Sequence, residues 1–109
     1  MLESLLGSKG AELVLIFIAA RREGYATEIA RFFCKNLSTI QNQLDRLEFG
    51  GILSSTVKGR TRLYVLSPAY PFIVPLKDIL ARALSFYPES VRERLLMVRR
   101  RPRRRGKPS

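Results

Sequence analysis

Apolar residues recur with a helical period over most of this chain and switch to an alternating period once, near its middle. From Leu13 to Ala20 every residue is apolar, with Ser8, a good N-cap type, before the run and Arg21 and Arg22 after it. That predicts a helix from about Ser8 to Arg22. A helix apolar all round is buried on more than one side. In so small a chain this favours core contact on one face and a second subunit on the other, over a plain central helix. Gly24-Tyr25 then breaks the pattern, and Thr27 opens a short second helix, Glu28 to Phe33, with Ile29, Phe32 and Phe33 on one stripe. Cys34-Lys35-Asn36 reads as a turn whose cysteine is expected to pack inward. A third helix, residues 36–49, starts with Asn36 or Ser38 as cap, and Ser38 and Gln41 have capping-box spacing. Ile40, Leu44 and Leu47 form its buried stripe and Gly50-Gly51 ends it.

The alternation follows at once. Ile52 to Val57 predicts a strand, Lys58-Gly59-Arg60 a turn, and Thr61 to Leu66 the returning strand, with Leu63 and Val65 facing the body and Arg62 and Tyr64 facing out. Beyond Ser67-Pro68 the helical period resumes. Pro71 to Ser85 places Leu76, Ile79, Leu80, Ala83 and Leu84 on one side, and Pro88-Glu89 opens a last helix running to about Arg100. Helices, a hairpin and further helices in that order make the fold class α+β, mainly α.

At 109 residues the chain is sized for one domain, 1–98, followed by a basic tail, 99–109, expected to be disordered. The net charge is +11, and the seven cations of the tail leave +4 for the rest, which points to a polyanionic partner. Enzymatic chemistry loses its usual parts. There is no histidine, no phosphate-cradling glycine motif and no paired carboxylates, so no catalytic residue, metal site or cofactor is expected. The longest apolar run, eight residues, falls well short of the roughly 20 that span a bilayer. A single cysteine cannot close an internal disulfide, so the expected compartment is the cytoplasm, with no membrane association.

Two short helices joined by a tight turn and followed by a basic hairpin have the order of a winged helix-turn-helix. The stretch TEIARFFCKNLSTIQNQLDRLEFGGIL resembles the helix-turn-helix of ArsR-like transcription regulators, and SSTVKGRTRLYVLSP resembles their wing. The continuation AYPF is similar to winged-helix proteins found beside nucleotidyltransferase domains, which makes such a protein a conceivable partner. The resemblance covers Tyr25 to Phe72 and implies a winged helix with a two-stranded β-hairpin wing, additional C-terminal helices, and binding to double-stranded DNA. Metal-sensing members of the group resemble one another in a cysteine cluster on the first helix of the motif, where this chain has only Cys34.

Within that frame the third helix reads as the one that enters the major groove. Amide and hydroxyl side chains present both donors and acceptors, as base edges do, and Asn or Gln can pair bidentately with adenine. Ser38, Thr39, Gln41, Asn42, Gln43 and Arg46 are expected on or beside its outer face. Lys58, Arg60 and Arg62 of the wing, residues 57–62, suit a narrow minor groove, where negative potential is concentrated. Arg31 and Lys35 are expected to meet phosphates. The function expected is a sequence-specific regulator, a repressor by default, working as a homodimer. Two alternatives remain open: nonspecific nucleic-acid binding through the Arg-rich tail, and a winged-helix module that docks a protein.

Overall fold

A computed structural model of the chain describes residues 1–100, with side chains through residue 96. Its centre is the helix predicted from the apolar run. The Ser8 hydroxyl accepts from the Ala11 amide at 3.0 Å and starts it. Arg22, left-handed at φ 76°, ends it. After a short α1 (Glu3–Leu6), which the hydrophobic pattern did not announce, this is α2 (Lys9–Arg21). Around it stand α3 (Ala26–Phe33), α4 (Leu37–Phe49), α5 (Ile73–Leu84) and α6 (Glu89–Arg100), so that Ala11 to Ile18 are all buried. The expected subunit contact along this helix is therefore corrected: its second apolar side is covered by the protein's own α5 and α6, so that Ala11 to Ile18 have no face left for another chain.

The sheet has three antiparallel strands, in the order β1 (Gly24–Tyr25), β3 (Thr61–Leu66), β2 (Leu53–Lys58). β2 and β3 are the predicted hairpin, paired from Leu53 with Leu66 to Lys58 with Thr61. β1 is the addition. It pairs Gly24 with Tyr64 and Tyr25 with Leu63, just where the sequence reads as a break.

The expected facing of the wing is corrected at one residue, Tyr64, which lies beside that added strand. Tyr64, expected outside, is 2% exposed, whereas Leu63 and Val65 are half-buried and Arg62 is exposed. With a neighbour on either side, Tyr64 sits mid-sheet, and its ring has more apolar area to hide than either aliphatic side chain.

α5 buries Leu76, Leu80 and Ala83 as expected but leaves Ile79 exposed. α6 packs on α2 through the buried Leu95, whose carbonyl accepts from Arg21 Nε at 3.0 Å. The architecture is α+β and mainly helical. Among the described residues no helix is long and apolar enough to cross a membrane. The tail expected to be disordered lies outside the described residues from position 101 onward; Arg99 and Arg100 belong to α6.

Candidate nucleic-acid interface

α3 delivers the chain to α4 through a turn without glycine. Cys34 takes the left-handed conformation at φ 55°, and the Lys35 amide closes on the Ala30 carbonyl at 2.9 Å. Cys34 is exposed, not packed inward as expected, because the left-handed cap turns the chain out of the core at that residue. Asn36, not Ser38, caps α4: its side-chain oxygen accepts from the Ser38 amide at 2.9 Å and from the Ser38 hydroxyl at 2.6 Å. The capping box expected between Ser38 and Gln41 is not formed, since the Gln41 amide is engaged elsewhere.

With about 3.6 residues per turn, burying Ile40, Leu44 and Leu47 decides where every other side chain of α4 goes. Ser38, Thr39, Asn42, Asp45 and Arg46 are exposed, as is Phe49 at the helix end. The three consecutive amides divide. Asn42 stands outward, while Gln41 and Gln43 are half-buried on opposite flanks. Gln41 turns to the sheet, donating from Nε2 to Tyr64 Oη at 3.0 Å and to Asp45 Oδ1 at 3.0 Å. Gln43 turns to the N-terminal segment, where its oxygen accepts from Arg46 Nη2 at 2.9 Å and Arg46 in turn reaches the Leu6 carbonyl at 3.1 Å.

The hairpin tip is closed by Gly59 at φ 63° and by the Thr61 hydroxyl on the Lys58 carbonyl at 3.0 Å. Lys58, Arg60 and Arg62 are exposed, and among the described residues none of them forms an ion pair. Arg62 is nonetheless tied down, donating to Ser55 Oγ at 3.2 Å, which donates to Glu48 Oε2 at 2.7 Å. Between α4 and the wing lies a cleft of about 410 Å³ lined by Tyr25, Thr27, Gln41, Arg60, Arg62 and Tyr64. Three of the residues singled out from sequence thus meet there: Gln41, Arg60 and Arg62. Ser38, Thr39 and Asn42 stand on the outer face of α4, Gln43 and Arg46 on the flank toward α1, and Arg31 and Lys35 exposed on α3 and its turn.

Sequence reasoning passed over Tyr64, because a two-residue strand gives no pattern to reveal what covers it. A separate apolar face, on α1 and α5, exposes Leu5, Phe72, Ile79 and Phe86. Among the described residues no three potential metal ligands cluster.

No family model matches the sequence, and no curated protein is significantly similar to it. Solved structures are similar in fold. A probable transcriptional regulator from Pseudomonas aeruginosa, 20% identical, matches with a TM-score of 0.59 over 93% of this chain and 84% of that one. A MarR-family regulator from Silicibacter pomeroyi, 19% identical, matches at 0.53 over 98% and 80%. BpsR of Bordetella bronchiseptica, whose DNA binding is regulated by 6-hydroxynicotinic acid, is 14% identical and matches at 0.53 over 87% and 78%. The ArsR-like resemblance has no counterpart among these three. What they share with this chain is the fold: it is a winged helix of the kind built into these regulators.

Proposed function

We propose that the protein is a sequence-specific double-stranded DNA-binding transcription regulator acting as a homodimer, with α4 in the major groove, the wing in the adjacent minor groove, and repression by occlusion of the promoter. The observation that carries this reading is the polar outer face of α4, Ser38, Thr39 and Asn42, held opposite a wholly buried stripe and beside a wing whose three cations have no acidic partner among the described residues. Asn42 is the side chain free to pair with adenine. Gln41 and Gln43 would have to exchange their internal partners before touching a base. Lys58, Arg60 and Arg62 supply minor-groove contacts, and Arg31, Lys35 and Arg46 meet phosphates, which positions the helix without reading sequence. The regulators with this fold support the reading, and the place of action would be the cytoplasm. A nucleotidyltransferase partner has no support among the three relatives named.

Two-fold symmetry would set the paired reading helices roughly 34 Å apart, one turn of DNA. Selection of bound fragments from genomic DNA at moderate salt tests this. The expected product is a palindrome with half-sites one turn apart, and Asn42→Ala should cost about 1–3 kcal/mol of preference at a single base pair. Deleting residues 99–109 should lower nonspecific affinity and leave the selected site unchanged. Loss of all binding on that deletion, or an unstructured set of selected fragments, would move the function to the tail.

A further inference from the structure

A carboxylate stands in the middle of the face that this proposal turns toward DNA. Asp45 is exposed on α4, on the same stripe as Ser38 and Asn42. Close to a phosphate backbone such a charge is repelled, so its place there calls for a cause. The other acid of α4 shows how the charge could have been hidden: Glu48 is half-buried and accepts from Ser55, which Arg62 supports from the wing. Asp45 has no cation among the described residues.

It is also not free to swing. The Gln41 amide nitrogen spends both hydrogens, one on Asp45 Oδ1 and one on Tyr64 Oη, each at 3.0 Å. Tyr64 is 2% exposed in the centre of the sheet. The carboxylate is therefore steadied from the core by a two-link chain that uses one of its oxygens and leaves Oδ2 able to accept.

Resting on the reading of α4 given above, we propose that Asp45 is a specificity-determining residue whose free oxygen accepts a hydrogen bond from a base amino group in the major groove, cytosine N4 foremost, with Gln41 and Tyr64 as positioning residues. Only cytosine N4 and adenine N6 offer donors on that edge. Guanine O6 and N7 and thymine O4 are acceptors, which a carboxylate rejects. Selectivity then comes from attraction to one base and repulsion by the others. Asn42 lies three residues earlier, about 4.5 Å along the helix axis, so the two side chains read neighbouring base pairs.

The test is fragment selection with the full chain and with Asp45→Ala, Asp45→Asn and Tyr64→Phe, followed by competition on the selected site. Asp45→Ala should erase preference at one C·G pair, about tenfold, and leave the other positions intact. Asp45→Asn should move that position toward adenine. N4-methylcytosine, which replaces the groove-facing amino hydrogen with a methyl group, should weaken the parent protein about tenfold at that base and leave Asp45→Ala indifferent. Tyr64→Phe should broaden the same position alone; uniform weakening would mean that Tyr64 serves stability only. If Asp45→Ala raised affinity for all sequences equally with preferences unchanged, the carboxylate would be a repulsive bystander and the inference would fail while the reading by Asn42 stood. If the parent protein selected nothing, both would fall together.

Discussion

A carboxylate without access to water must be met by donors, and Glu12 is. Its side chain is 0% exposed, with the Leu2 amide at 2.7 Å, the Met1 ammonium at 3.0 Å, Lys9 Nζ at 3.7 Å and the Tyr87 hydroxyl also bound to it. Burial pushes its pKa up, but the Tyr87 hydroxyl, the Leu2 amide and the two cations outweigh burial and hold the carboxyl at about 2, below its ordinary 4.5. A depressed folded-state value means stabilisation present above the unfolded value and lost as pH falls. Denaturant unfolding should therefore show roughly 3 kcal/mol disappearing between about pH 5 and pH 2. Glu12→Gln should be less stable at neutral pH and lose less stability than the parent across that window. An unchanged acid slope in the variant would assign the loss to another group. Nothing in the sequence marks Glu12 as buried. It reads as an ordinary acid in a helix's first turn, and the tyrosine that completes its shell is 75 residues away.

At the scale of elements, α4 and the hairpin were legible because each buries one face, so its period is written in the residues. β1 was not, since two residues carry no period. Its cause lies in packing: a Cβ on Gly24 would stand 3.0 Å from Phe17 Cε1 and 3.2 Å from Ile29 Cδ1, so any larger residue there presses on core side chains. Gly24→Ala should cost about 1–3 kcal/mol by overpacking, measured as a lower midpoint in urea with an unchanged slope. Because Gly24 pairs with Tyr64, the strain falls on the strand that steadies Gln41. Stability equal to the parent's would show that Phe17 can step aside. The burial of Tyr64 on β3 was hidden for a related reason. Alternation names two faces, but which one is inside depends on neighbours far away in sequence.

At the scale of the whole molecule, a central α2 whose Ala11 to Ile18 have no free side transfers any self-association to the surface. Leu5, Phe72 and Phe86 are 64%, 63% and 71% exposed, and Ile79 on α5 is 38% exposed beside them. If the proposed homodimer forms through this face, changing Ile79 and Phe86 together to Glu should yield a folded monomer by analytical ultracentrifugation where the parent is a dimer. DNA affinity should fall by more than about tenfold, and the slope of log affinity against log salt should be about halved, as half the phosphate contacts are lost. A double variant that remained dimeric would place the interface elsewhere.

What the sequence by itself determined is whatever depends on near neighbours: five of the six helices among the described residues, the hairpin, the buried stripe of α4 and the basic wing. Only the tertiary structure decided which amide of Gln41, Asn42 and Gln43 stands free, that Tyr64 lies inside, that Cys34 lies outside and that Ala11 to Ile18 of α2 have no open face. The physical reason is common to all four. Periodicity says which residues share a side, whereas burial of that side is settled by what chain folding brings against it.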